Sequence, residues 1–335
     1  MNKHDLIVIT GAGGFIGGAL TRYFRDKGFT NVRAVDIKRV DQWYQTVAGV
    51  ESIAGCDLKI KENCYRVCRG ATEVYNFAAD MGGMGFIELH RAACMLSVLI
   101  NTHMLMAARD SGTVQRYFFS SSACVYNTQK QQQTDCTALK EEDAYPAMAE
   151  EGYGWEKLFG EQMCRHFMND YGLETHVARF HNVYGPHGTW DGGREKAPAA
   201  ICRKVIEAKD TGSGEIEIWG DGKQSRSFMY IDDCLQGIDM LMHSEVREPL
   251  NLGSSELISI NRLVELSEEI AGVKLRRTYK LDAPKGVRGR NSDNTRIRER
   301  FDWEPNTPFS LGLAETYAWI QQQYFDRKAG KCTVC

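Results

Sequence analysis

The segment that most constrains this chain is its first turn. An apolar, β-branched run, Leu6-Ile-Val-Ile9, leads straight into Thr10-Gly11-Ala12-Gly13-Gly14-Phe15-Ile16-Gly17. Glycines at 11, 14 and 17 follow the GxxGxxG spacing. Glycine there permits a tight turn, lets the backbone approach a pyrophosphate, and allows the next helix to present its positive end to that anion. Alone the spacing is weak. Here it leaves a strand, opens a helix, and is followed by a second strand-like run ending in Asp36. An acid at that place accepts hydrogen bonds from a ribose 2′-hydroxyl and repels a 2′-phosphate, which favours NAD; Lys38 and Arg39 lie close enough to keep NADP open. Gly11, Gly14, Phe15, Ile16, Gly17 and Asp36 are the expected cofactor residues. Asp57-Leu58, after a further strand-like stretch, is an expected adenine contact, with a helix cap as the alternative for Asp57.

The alternation continues through the first half. Candidate strands are Leu6–Ile9, Val32–Asp36, Glu73–Phe77, Arg116–Ser120 and Thr175–Arg179; candidate helices are Phe15–Lys27, Arg91–Asp110 and Gly154–Tyr171. This pattern predicts an α/β fold, a Rossmann doubly wound parallel sheet covered on both faces. Lys27-Gly28 and Ser111-Gly112 read as helix stops. Past Arg179 the pattern changes. His181–Arg194, rich in Gly, Pro and aromatics, reads as an ordered loop. Helices about Ala197–Lys209, after Asp232 and near Asn261–Ala271, with a strand at Ile216–Trp219, follow it. A length of 335 residues is long for one compact core. The expected division is 1–180 as the dinucleotide domain and 181–335 as mainly a smaller C-terminal α/β substrate lobe, with some segments returning to the first domain.

Composition narrows the partners. A net charge of -3 gives no broad basic field, so nucleic acid is not expected and an anionic ligand must be held by local Arg and Lys. No uninterrupted apolar run of 18 or more residues occurs, and the N-terminus lacks a signal-peptide pattern, so no membrane is expected and a cytoplasmic location is. The 11 cysteines are scattered singly, as reduced thiols would be. Cys, His and Asp show no metal-ligand spacing, so no metal is expected. The pair Cys332 and Cys335 has no second CxxC and reads as a frayed tail.

Tyr153-Gly-Trp-Glu-Lys157 places a phenol and an ammonium on one face of a helix. A nearby cation lowers a phenol pKa, which makes Tyr153 competent to take a hydroxyl proton while hydride leaves the same carbon. Ser122 and Cys124 are two apart as the chain leaves a strand, so an extended backbone would aim both into the cleft at the carboxyl ends of the strands. The glycine loop, the Ser-Ser-Ala segment, Tyr153-x3-Lys157 and Asn182-Val-Tyr-Gly-Pro186 together resemble the extended short-chain dehydrogenase/reductase family, which includes nucleotide-sugar epimerases and dehydratases. The resemblance implies that Ser122, Tyr153 and Lys157 carry hydride chemistry, with Tyr153 and Lys157 also touching the cofactor.

Longer strings narrow the resemblance. Asp80-Met-Gly-Gly-Met-Gly-Phe86, Gly192-Gly-Arg-Glu-Lys-Ala-Pro-Ala-Ala200, Trp219-Gly-Asp-Gly222 and Gly286-Val-Arg-Gly-Arg-Asn-Ser-Asp-Asn294 are similar to the branch that epimerises GDP-mannose. Oxidising C4 of a bound hexose gives a ketone that acidifies C3 and C5, and inversion then needs an acid/base pair beyond Tyr153. Cys124, because neighbouring cations favour the thiolate form of a thiol, and Lys196, its pKa lowered by burial or by cations, are the candidates, and the resemblance implies the same pairing. Lys204, Arg226 and Arg290 are the cations available to a diphosphate. The resemblance further implies substrate contacts at Gly82, Ser122, Ala123, Cys124, Asn182, Glu195, Lys196, Lys204, Gln224, Arg226 and Arg290, and a homodimer. The helix Arg91–Asp110 could pair with its twin or lie buried in the sheet domain. One stretch departs from the resemblance: Asn127-Thr-Gln-Lys-Gln-Gln-Gln133 lacks an expected proline, and it is placed to border the sugar pocket. A dehydratase would show an acidic pair where Ala123-Cys124 stands. A non-catalytic NAD sensor would have no use for Tyr153, Lys157, Cys124 and Lys196 together.

Overall fold

The computed structural model describes residues 2–284 and 286–331; Cys332 and Cys335 lie outside them. In the first half run β1 (Ile7–Thr10), α1 (Phe15–Asp26), β2 (Val32–Val35), β3 (Glu51–Ile53), α2 (Lys61–Cys68), β4 (Glu73–Asn76), α3 (Met84–Leu89), α4 (Arg91–Met95), α5 (Val98–Ser111), β5 (Arg116–Ser122), α6 (Tyr153–Tyr171) and β6 (Glu174–Phe180). The second half holds β7 (Val183–Tyr184), α7 (Ala197–Thr211), β8 (Glu215–Trp219), β9 (Ser225–Ser227), β10 (Met229–Tyr230), α8 (Ile231–Met242), β11 (Leu250–Leu252), β12 (Leu257–Ser259), α9 (Ile260–Ala271), β13 (Arg276–Lys280), β14 (Gly289–Arg290), α10 (Thr295–Phe301) and α11 (Phe309–Lys328).

Seven parallel strands form the main sheet in the order β11-β6-β5-β4-β1-β2-β3. It is the expected doubly wound α/β sheet. Alternation within single strands shows both faces covered: Ile7 and Ile9 enter one core with Phe24, Tyr75 and Phe118, while Val8 enters the other with Val67, Tyr117 and Leu105. The first core runs on into the second half of the chain, joining Val205 of α7, Ile238 of α8, Leu263 of α9 and Leu313 of α11. Strand order reverses between β1 and β4, which opens a crevice at their carboxyl ends. β9 lies between β12 and β14 in a small sheet that borders this crevice.

Two local expectations change. The single helix Arg91–Asp110 is two, α4 and α5, meeting at Leu96-Ser97. Ser97 is buried and its hydroxyl accepts the Asp80 amide (2.9 Å), so the junction is tied to the loop after β4. By length and composition Arg91–Ser111 could cross a membrane. Its buried face instead packs on α2 and α6, with Asn101 accepting from the Tyr117 hydroxyl at 2.8 Å. Helix stops fall where glycine allows them: Gly28 and Gly112 hold φ values of 84° and 64°. The cysteines among the described residues are free and buried.

Candidate active site

The dinucleotide loop is built by close approach. A Cβ on Gly11 (φ 69°) would lie 2.8 Å from the Phe77 carbonyl carbon, and one on Gly17 would lie 2.4 Å from the Gly11 oxygen. Only glycine lets the end of β1 touch the end of β4 while α1 starts beneath it. Gly14 is the N-cap of α1, no side chain caps that end, and its first turn holds no acid. The positive helix end is therefore left to an anion. Asp36 is buried at the tip of β2, where its carboxylate accepts the Gly13 amide (2.9 Å) and the Lys38 amide (2.8 Å). A cradle that a Cβ would fill, an uncapped helix end and an acid at the ribose position fit NAD. Burial, with Arg194 adding to it, pushes the Lys38 ammonium down against the pull of Asp36. Phe15 turns toward Gly185 and Gly188 and helps seal the loop against the second half of the chain. Leu58 is buried beside Cys56, and Asp57 accepts the Lys59 amide at 2.9 Å at the entry to α2.

The chemistry gathers where β5 ends. Ser122 is the last extended residue; Ala123–Val125 then coil into a 3-10 turn, and the Ser122 hydroxyl accepts the Cys124 amide at 3.2 Å. Ser122 is thus linked to the backbone of Cys124 through a cap, and the extended i, i+2 alternation expected from the sequence ends at Ser122, which corrects that expectation. α6 docks against this turn so closely that a Cβ on Gly154 would lie 2.3 Å from the Cys124 carbonyl oxygen. Tyr153, Cys124 and Cys94 share a small buried cluster with Phe86 and Ile87.

Burial pushes the Tyr153 phenol well above its usual range; the neighbouring Cys124 and Glu156 add to this and a Ser122 hydrogen bond opposes it. Lowering by Lys157 does not prevail. The Lys157 ammonium, 2% exposed, sits 3.5 Å from Glu156 and over the Phe119 ring, 5.5 Å from the Tyr153 ring centre. Glu156 is itself fully buried, its Oε2 has no hydrogen-bond partner, and burial pushes its carboxyl up.

Lys196 caps α7 from the far wall. Burial pushes its ammonium below the lysine range, and Cys124 is the first charge opposing that shift; the positive end of α7 acts in the same direction as burial. The Asp80–Phe86 loop carries this wall: the Gly83 amide donates to the Arg194 carbonyl (2.9 Å), and Arg194 pairs with Asp80 (2.8 Å). Gly82 leaves room for Phe86 and Arg194. Glu195 is held by Arg203 (3.1 Å) and by the Gly193 amide (2.7 Å).

The expected substrate cations divide. Lys204 remains at the rim, donating to the Glu217 carbonyl at 2.9 Å, with burial pushing it down. Arg226 and Arg290 turn inward. Arg226 donates to the carbonyls of Ser225 (2.7 Å) and Val287 (2.6 Å), and Arg290 ion-pairs with Glu150. Asn182, at the end of β6, takes a left-handed φ of 36° and donates to the Ser227 carbonyl at 3.1 Å, a strained setting typical of sites. Gln224 donates to the Trp219 carbonyl (2.7 Å), while its Oε1 is buried and without a partner; such atoms await a ligand or water. Ala123 packs in a core under the turn. Sequence reasoning missed Glu150, Gln131 and Glu156. Glu156 lay inside the Tyr-x3-Lys motif, where a charged residue beside the lysine was the available signal.

Fold and site define an NAD-dependent epimerase or dehydratase: residues 7–253 match the model of the NAD dependent epimerase/dehydratase family, and the chain belongs to that family. Within it, the chain is 44% identical over 324 residues to the GDP-mannose 3,5-epimerase of Arabidopsis thaliana, covering 96% of this chain and 84% of the plant protein. It is 45% identical over 318 residues to GDP-mannose 3,5-epimerase 1 of Oryza sativa subsp. japonica, covering 95% of this chain and 82% of the other. The UDP-glucose 4-epimerase of Thermotoga maritima shares the fold, with a TM-score of 0.82 at 23% identity over 95% of this chain and 99% of that one.

Proposed function

We propose that the chain is a nucleotide-sugar epimerase that inverts GDP-mannose at C3 and C5 to give GDP-L-galactose, with GDP-L-gulose arising when C5 alone is inverted. The observation that supports this reading most is the small buried cluster that Tyr153 shares with Cys124; the charge of Cys124 also acts on the buried ammonium of Lys196. Bound NAD supplies a reversible hydride acceptor for C4. Tyr153, linked to Ser122, takes the C4 hydroxyl proton and later returns it, and Lys157 holds the charge balance behind the phenol. The C4 ketone acidifies both neighbouring carbons. One of Cys124 and Lys196 removes a proton from one face and the other returns one on the opposite face. A lysine made less basic by burial gives up its proton more readily than an exposed one, which suits it to proton exchange. The names of the plant relatives support the guanosine diphosphate sugar.

Incubation with GDP-mannose in deuterated water tests the reading. Deuterium entering at C3 and C5 supports it, and retention of both hydrogens with inversion at C4 would make the chain a 4-epimerase.

The assembly we propose is a homodimer. Met95, Leu96 and Leu99 on α4 and α5, with Trp155 and Phe159 on α6, leave an apolar face exposed on neighbouring helices, and a second copy would cover it.

A further inference from the structure

The polar run Asn127–Gln133 folds into a 3-10 turn, Thr128–Gln131, capped by the Asn127 side chain. Gln131 is 0% exposed. Its Nε2 donates to the carbonyls of Tyr126 (3.3 Å) and Asn127 (3.4 Å), and its Oε1 accepts from Nε of Arg290 (2.7 Å). Its own carbonyl accepts the Arg288 amide at 2.9 Å. Glu150 closes the other side: its amide donates to the Cys124 carbonyl at 2.9 Å, and its carboxylate pairs with Nη2 of Arg290. The remaining arm of the guanidinium, Nη1, faces Cys124 Sγ at 3.6 Å.

We propose that Gln131 and Glu150 are positioning residues for proton exchange, clamping the Arg290 guanidinium onto the Cys124 sulfur so that this cation serves the thiol. The inference rests on the C3/C5 epimerase reading for its consequence, but its geometry is independent of that reading. A guanidinium is a rigid planar fork, so fixing Nε and Nη2 to two acceptors leaves Nη1 one direction. Both acceptors are tied to the backbone turn that carries the thiol: Glu150 binds the carbonyl of Cys124 itself, and Gln131 binds those of Tyr126 and Asn127. The distance from Arg290 to sulfur is therefore set within one small network. A fixed cation donating to sulfur stabilises negative charge there, the form that removes a proton. Among the described residues, Tyr153 from α6, Lys196 ahead of α7 and Arg226 on β9 also interact electrostatically with Cys124, and Cys94 shares its buried cluster. Glu150 also offsets the charge of Arg290, without which a buried guanidinium would be costly.

The test uses the NAD-loaded enzyme with Gln131→Leu, Glu150→Leu and Glu150→Gln. Two rates are read: alkylation of Cys124 by iodoacetamide at pH 7, followed by peptide mass mapping, and deuterium entry into GDP-mannose compared with transient absorbance of reduced cofactor at C4 oxidation. The leucine variants should alkylate about tenfold more slowly and lose roughly 10- to 100-fold in deuterium entry, while C4 oxidation persists. Glu150→Gln keeps the acceptor and should stay within about threefold of the parent on both measures. Unchanged rates in the leucine variants would overturn the clamp, as would loss of C4 oxidation in step with exchange. If a leucine variant no longer binds NAD, Gln131→Ala, which leaves room for water, supplies the same contrast. Absence of exchange in the parent enzyme would defeat the epimerase reading, whereas the alkylation comparison would still decide the clamp.

Discussion

Gly154 and Cys124 are in backbone contact: a Cβ at 154 would stand 2.3 Å from the Cys124 carbonyl oxygen. The glycine inside the Tyr-x3-Lys motif is what lets the helix bearing Tyr153 reach the turn bearing Cys124. Gly154→Ala should push that turn away from α6, since the obstructing atom is backbone and cannot rotate aside. We expect deuterium entry to fall about 100-fold with a loss of roughly 1–3 kcal/mol in stability, read by mass spectrometry and urea unfolding. Parent-like exchange would show that the contact is not needed.

Tyr153→Phe removes the hydroxyl that meets Ser122 and leaves the ring in its buried cluster. Turnover should drop by about 10²–10⁴ and transient cofactor reduction should vanish, with NAD affinity nearly unchanged by calorimetry. Retained cofactor reduction would move the C4 base to another residue.

His243 joins α8 to the sheet, reaching Glu73 (3.1 Å) and Asp239 (3.0 Å). Burial alone would lower its pKa, but hydrogen bonds to Asp239 and Glu73 outweigh it and raise the value to about 10. The folded chain therefore holds a proton that the unfolded chain releases above about 6.5, so this stability is full below that pH and is lost as pH climbs toward 10. His243→Gln should cost about 2 kcal/mol at pH 6 and little at pH 10 by urea unfolding. His181 works the other way: burial lowers it to about 4, so its contribution is lost as pH falls from about 6.5 toward 4.

The exposed apolar face on α4, α5 and α6 predicts its own disruption. Leu99→Glu with Phe159→Glu should convert a dimer to a monomer on gel filtration, while NAD binding persists, since both side chains are exposed and the glycine loop after β1 is untouched. An unchanged elution volume would place the interface elsewhere.

Much of this architecture was legible because parallel strands buried on both faces leave dense β-branched runs and glycine marks their turns. Val32, Glu73 and Arg116 begin strands where the pattern put them. The longest helix, α11, escaped, although its buried positions Phe309, Leu313, Thr316, Tyr317 and Ile320 keep helical spacing. Gly312 and Thr316 inside the buried stripe and the exposed Leu311 outside it blurred the pattern. At the site, sequence named Tyr153, Lys157, Cys124 and Lys196, because each belongs to a motif. It assigned Arg226 and Arg290 to a diphosphate because Arg is the usual phosphate ligand; their inward turn depends on Glu150, Gln131 and the Val287 carbonyl, all remote in sequence. Partners brought together only by tertiary folding leave no periodic trace.

β11 pairs with β6 at the edge of the main sheet, although the two strands are separated by β7, α7, β8, β9, β10 and α8. During synthesis the nucleotide-binding sheet thus stays open along β6, with its amides and carbonyls unpaired, until Leu252 has left the ribosome. The nascent chain must carry that unpaired edge while the intervening segment is made, and an open strand edge is a template for pairing with other chains until β11 covers it.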